Sequence, residues 1–388
     1  LCANGVDDDD DVVVDFPNDP GCAFADDMDE DSGTLLTGVS QEVSYLLPAV
    51  ADIQGRQSET PYTSVSAQLR TSPNEVIVTR VSSGGFFITD LSEPGSPTAY
   101  NHLFAFNFNT PTDMRVCDRL TSLSGTVSEF FGFTEISFPS YEIGLWDFTR
   151  PANECTFDNE LEVCGPDKYC RRGTCQLCKV PEPVVLESTT IATESSMEAL
   201  ESGLVRIEQF RIPANFGSGL PQVQGNAPPY TFVFGPEASN CDLDQDGVLE
   251  FADEREGACS NACSANPNCT DWLGYASRGN YKMWRGGDGT LCRWAAGMGG
   301  LPSDCIMVNT STATGFSPLK HKGASIEAVS GTLRHFSGGP LNWTIETRCT
   351  DDLVCPPMLD EACADERVPS SQACKTPPTR DDNDAGTN

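Results

Sequence analysis

Asp242, Asp244 and Asp246 stand at alternate positions in the run from Cys241 to Asp253, and Gly247, Val248, Leu249 and Glu250 follow them. Side-chain oxygens at loop positions one, three and five, a glycine at six for the sharp turn, a backbone carbonyl at seven and an apolar anchor at eight surround a hard cation with oxygens. That pattern selects calcium. Glu250 at position nine ligates directly or through water, and Asp253 stands at twelve, where a longer bidentate Glu is usual. The shorter carboxylate, with Glu254 beside it as a substitute, favours a structural calcium over a signalling one. The plain alternative for the same spacing is a solvated acidic turn.

A second acidic stretch, with Asp7, Asp9, Asp11 and Asp15, lies between Cys2 and Cys22. Residues 1–31 carry twelve carboxylates and no Lys or Arg. Bracketed by two cysteines, these acids read as a stapled calcium loop; without the metal they read as a solvated acidic leader. Catalytic chemistry has no comparable signal. His102, His321 and His335 are far apart in sequence, and no nucleophile elbow, zinc-binding helix or phosphate-cradling glycine loop occurs. Carboxylate pairs are too common in so acidic a chain to indicate a glycosidase. The expectation is a protein that is not an enzyme.

Eighteen cysteines in 388 residues are hard to reconcile with a reducing cytosol, so the chain is expected to be extracellular, secreted or at a cell surface. They fall into even groups: Cys2 and Cys22; Cys117 with Cys155, Cys164, Cys170, Cys175 and Cys178; six between Cys241 and Cys305; and Cys349, Cys355, Cys363 and Cys374. Pairing within groups is expected. Cys175-Gln-Leu-Cys178 lacks the second pair or the His that zinc needs, and reads as structural. The formal charge of −33 excludes duplex nucleic acid as a partner, because binding through phosphates needs Lys and Arg clusters. No apolar run reaches the length of a membrane span. The first residue is Leu1, as expected of a mature product whose secretion signal has been removed or lies outside this sequence.

The elements that must position these groups are strands. Between 74 and 143 the runs EVIVTRV, GGFFITD, HLFAFNF, RLTSLSGTVSEFF and TEISFPSYEI are β-branched or aromatic and are punctuated by Gly, Pro, Asn and Asp. Their order, with SSGGFFITD at 82–90 followed by SLSGTVSEFFGFTEI at 122–136, resembles the OB-fold regions found beside the catalytic domain in bacterial secreted nuclease-type proteins. The resemblance implies a Greek-key barrel and brings no catalytic residue with it. The acidic segments are similar to EF-hand-like and thrombospondin type 3-like calcium segments.

A second copy follows. Ser330-Gly331-Thr332-Leu333 aligns with Ser124-Gly125-Thr126-Val127, so a second barrel is expected to begin near 199, to continue through GNYKMWRG and DCIMVNTS, and to end near 349. The organisation expected is an acidic segment at 1–31, a first OB-like barrel at 32–150, a Cys-rich linker at 151–183, a second barrel at 184–349 with a Cys-rich calcium insertion at 213–305, and an acidic tail at 350–388. The fold class is all-β: two OB-like Greek-key barrels with disulfide-rich, calcium-binding insertions and linkers.

Two aromatic sets bear on ligands. Phe86-Phe87, Phe104, Phe106, Phe108 and Phe130-Phe131 either fill a barrel or make a stacking platform, and the alternation of Phe104, Phe106 and Phe108 favours the interior. Trp272, Tyr275, Tyr281, Trp284 and Trp294 suit a glycan or a protein partner if exposed. Asn268, Asn309 and Asn342 each open an N-glycosylation triplet. The expected role is a secreted, calcium-binding structural or adhesive protein that associates head to tail with copies of itself in an extracellular filament or surface assembly. The alternative is a glycan- or nucleic-acid-binding accessory module of a secreted hydrolase system.

Overall fold

The computed structural model describes residues 46–71, 75–92, 99–145, 149–212, 279–286, 304–318, 321, 323–335, 343–356, 363 and 367–375. The candidate calcium ligands Asp242, Asp244, Asp246, Val248, Glu250 and Asp253, like Asp7, Asp9, Asp11 and Asp15, lie outside the described residues. Two compact units divide the described chain. The first holds residues up to Glu182 with Glu198–Gly203 and the segment from Ser370; the second holds Pro183–Met197 and Leu204–Pro369. The fold is all-β, with a closed five-strand barrel in each unit.

In the first unit a short helix α1 (Val50–Gln54) precedes β1 (Ser66–Gln68). The barrel is β2 (Val76–Ser82), β3 (Gly85–Asp90), β4 (His102–Phe106), β5 (Arg119–Glu129) and β6 (Thr134–Gly144). β2, β3 and β4 form an antiparallel meander, β4 pairs in parallel with β6, and β5 returns between β6 and β2 to close the ring. Counted one to five in chain order, the strands run 1-2-3-5-4 around the barrel, an OB-like Greek key. Its interior holds Val76, Val78, Phe86, Ile88, Leu103, Ala105, Leu120, Val127 and Ile136.

The Cys-rich stretch of the first unit is a small module built on α2 (Glu160–Cys164) and the hairpin β7 (Lys168–Arg171) and β8 (Thr174–Leu177). Arg172 and Gly173 at the hairpin tip both have positive φ, as a two-residue primed turn requires. Disulfides Cys155–Cys170 and Cys164–Cys175 staple the module, and Cys117–Cys178 ties it to the barrel. All three pairs fall within one of the groups read from the sequence. Arg115 donates to both oxygens of Glu160 at 3.0 and 2.9 Å and lies over the rings of Phe157 and Tyr169.

The second unit repeats the plan. Its barrel strands are β10 (Leu204–Arg211), β11 (Asn280–Trp284), β12 (Cys305–Asn309), β13 (Ser325–His335) and β14 (Trp343–Glu346), with β9 (Val184–Val185) and β15 (Leu353–Val354) at the edges. The 213–305 stretch is therefore not one excursion, because strand two of the barrel lies within it. Again strand three pairs in parallel with strand five, and strand four bridges five and one. Both SGT segments lie on strand four. Val127 faces Ile136 across strands four and five, and Leu333 faces Ile345 in the same way. The match reaches further: Gly125 pairs with Ala67, which bridges in parallel to Leu46, while Gly331 pairs with Val205, which pairs in parallel with Val184.

Candidate functional site: an aromatic face on the first barrel

Strand three of the first barrel reads His102-Leu103-Phe104-Ala105-Phe106, and successive side chains of a strand leave opposite faces. Leu103 and Ala105 point into the barrel core, whereas Phe104 belongs to a separate cluster with Phe87 and Phe133, against which Phe106 packs. The expectation that the alternating phenylalanines fill the interior is corrected: they share one face, and it is the outer one. Every residue but His102 in this strand is apolar, so periodicity marks two faces without saying which is inside.

From this cluster the rings form a chain. Phe87 and Phe104 lie 4.6 Å apart, Phe104 and Phe106 6.2 Å, Phe106 and Phe108 4.3 Å, and Phe108 and Phe138 5.3 Å. Phe133 joins Phe104 at 5.6 Å, and the Arg80 guanidinium covers the Phe87 ring at 5.1 Å. The chain starts buried and ends in solvent. Phe108 is 60% exposed and Phe138 71%, while Phe130 and Phe131, 4.7 Å apart on the loop between strands four and five, are 56% and 67% exposed.

The backbone that presents these rings is strained. Phe108, Phe131 and Phe138 have φ of 56°, 54° and 55°, a region that bulky L-residues rarely adopt. Phe131 and Gly132 occupy the centre of a tight turn closed by reciprocal backbone bonds between Phe130 and Phe133, where Asn-Gly is the intrinsic preference. Phe138 occupies a β-bulge: Ser137 and Ser140 of β6 face Thr126 and Ser124, leaving one extra residue on β6. Each left-handed phenylalanine costs on the order of 1–3 kcal/mol that Gly or Asn would largely avoid. Sequence reasoning missed Phe138; the signal was Pro139, since a proline inside a strand marks a bulge or an edge.

The second barrel supplies an internal comparison. With Ile136 equivalent to Ile345, the pairings make Phe87, Phe104 and Phe106 equivalent to Lys282, Met307 and Asn309. Barrel formation therefore does not require aromatic rings at these positions. Tyr281 and Trp284, read as candidate ligand rings, are buried. Trp272, Tyr275 and Trp294 lie outside the described residues. In the Asn309 triplet, Asn309 Nδ2 donates to Asn280 Oδ1 at 2.8 Å, so the nitrogen that a glycan would occupy is engaged; Asn268 and Asn342 lie outside the described residues.

Other polar groups of the first unit have structural explanations. The sulfurs of Cys155, Cys164 and Cys175 converge, but each is taken by a disulfide. Asp118 is fully buried, accepts from the Arg115 backbone N–H at 2.7 Å and from the Tyr169 hydroxyl at 3.1 Å, and faces Arg171 at 3.3 Å. Burial outweighs these partners and pushes its pKa up to about 6. Cys305, Cys349 and Cys374 are also disulfide-bonded, Cys355 is joined to Cys363, and no described cysteine is free. Such cross-linking fits an oxidising compartment. Among the described residues no helix is long and apolar enough to cross a membrane.

No protein-family model, curated protein or solved structure matches this chain.

Proposed function

We propose that this is a secreted, non-catalytic structural or adhesive protein that docks onto copies of itself through the phenylalanine face of its first barrel. The observation that carries this reading is the set of exposed phenylalanines at positive φ, continuous with rings at positions that Lys282, Met307 and Asn309 fill in the second barrel. Exposed apolar rings held at a conformational cost need a partner that covers them. Phenylalanine offers area without a hydrogen bond, which suits the apolar side chains of a protein partner better than the hydroxyl-rich edge of a sugar. In this reading the acidic N-terminal segment or the tail after Cys349 docks on the next subunit's barrel or Cys-rich insertion, head to tail, and the contact propagates into a filament or surface assembly.

Calcium completes the proposal. Asp242, Asp244, Asp246, Asp253, the Val248 carbonyl and Glu250 would hold one ion, and Asp7, Asp9, Asp11 and Asp15 another. Copies that each carry −33 repel one another, and bound calcium together with salt screening relieves that repulsion. The second reading, a glycan- or single-strand-binding accessory module, is favoured by the position of the rings: OB-type barrels bind oligomers on strands two and three and on the loop between strands four and five.

Light scattering and electron microscopy across a calcium titration test the proposal, with wild type set beside a Phe108→Ser/Phe131→Ser/Phe138→Ser variant. Assembly is expected to need both calcium and the phenylalanines. A persistent monomer that binds a polysaccharide or an oligonucleotide through these rings would replace this reading with the second.

A further inference from the structure

Gln54, the last residue of α1, and Glu201, in the segment Glu198–Gly203, meet inside the first unit, each 1% exposed. Gln54 Nε2 donates to Glu201 Oε2 at 2.5 Å, and the Thr134 backbone N–H donates to the same oxygen at 3.2 Å. Glu201 Oε1 and Gln54 Oε1 are both sealed from solvent, and neither has a hydrogen-bond partner. An amide oxygen and a carboxylate oxygen are both acceptors, so the pair lacks a donor. A proton on Glu201 Oε1 would supply that donor.

We propose that Glu201 is held as the neutral acid, its Oε1–H donating to Gln54 Oε1, so that a two-bond acid–amide ring latches the segment Glu198–Gly203 onto the first barrel until deprotonation releases it. The proton comes from solvent and returns to it, and no other bond changes. Burial raises the Glu201 pKa well above the ordinary carboxylate value, and the charges of Glu198 and Glu129 add to the rise. From the packed elements, Glu129 on β5 faces the site with one oxygen held by the Thr60 N–H and the Thr134 hydroxyl, and His102 on β4 lies against Gly203. On α1, Asp52 faces Arg70 at 4.0 Å. A cation is the competing occupant. Among the described residues, however, Glu129, Glu198 and Glu201 do not bring three ligand atoms within 4.8 Å of one another.

The sign follows from linkage. A folded pKa above the unfolded one gives stability that is complete below the ordinary carboxylate range and is lost as pH rises through the folded value. Denaturation midpoints of the full chain, from mildly acidic to alkaline pH, are compared for wild type and Glu201→Gln. The variant amide can donate to Gln54 Oε1 at any pH, so it is expected to lose the downward slope that wild type shows above the carboxylate range; identical slopes overturn the proposal. Infrared spectra of the wild type at mildly alkaline pH, where Asp118 is ionised, are expected to show a buried carboxylic-acid band that shifts in Gln54→Leu. A wild type without that band has an ionised Glu201, and the latch is wrong even if Glu201→Gln fails to fold. Calcium that stabilises wild type at neutral pH but not Glu201→Gln would assign the site to a cation and also overturn it.

Discussion

Gly125 and Ile136 approach so closely that a Cβ at position 125 would fall 2.4 Å from Ile136 Cγ2 and 2.8 Å from the Ser137 carbonyl oxygen. The second barrel has the same relationship: a Cβ at Gly331 would meet Glu346 O at 2.3 Å and Ile345 Cγ2 at 3.0 Å. Strand four of each barrel thus needs glycine where it crosses strand five. The shared need explains why Ser-Gly-Thr stands at the same place in both copies.

Gly125→Ala and Gly331→Ala are each expected to lower stability by about 1–3 kcal/mol, the usual cost of overpacking. The Gly331 change is the worse of the two, because its nearest obstacle is backbone that cannot rotate away. Chemical denaturation followed by tryptophan fluorescence, to which the buried Trp343 of the second unit contributes, checks this, and an unchanged midpoint in Gly331→Ala would remove the steric reading.

Asp118 carries a second prediction. Its pKa is raised from the ordinary 3.8 to about 6, so its contribution to stability is complete below about pH 3.8 and is lost as pH rises through about 6. Asp118→Asn is expected to flatten this part of the stability profile relative to wild type. The variant also weakens the contact with Arg171, so the test is the difference in slope and not the absolute midpoint; parallel profiles would mean that Asp118 is already ionised at low pH.

Much of the fold was legible in the sequence for simple reasons. Val76–Ser82, Gly85–Asp90 and Thr134–Gly144 are β-branched or aromatic runs ended by Gly, Asn or Asp, and the SGT repeat placed strand four twice. The candidate site was less legible. Phe104 and Ala105 are both apolar, so no contrast marked the outer face, and Phe138 hid in a strand whose bulge was signalled only by Pro139. Glu201 was invisible because one more carboxylate in so acidic a chain carries no signal; its meaning comes from burial beside Gln54, a residue 147 positions away. The parallel bridges of Leu46 to Ala67 and of Val184 to Val205, which repeat the plan ahead of strand four, have no sequence identity to announce them.

Phe131 gives the last prediction, because stability and docking should move in opposite directions there. The residue sits with φ of 54° at the first central position of a turn that favours Asn-Gly, and its ring is 67% exposed. Phe131→Asn relieves left-handed strain and removes an apolar surface from water, so the isolated subunit is expected to gain about 1 kcal/mol. If the phenylalanine face is a docking surface, the same change weakens association, since aromatic anchors dominate such contacts. Denaturation midpoints at low protein concentration and the association constant from light scattering are therefore measured on the same variant. A rise in stability with unchanged assembly, sugar binding and oligonucleotide binding would show that the strained rings serve no partner, and the proposed role of this face would fall.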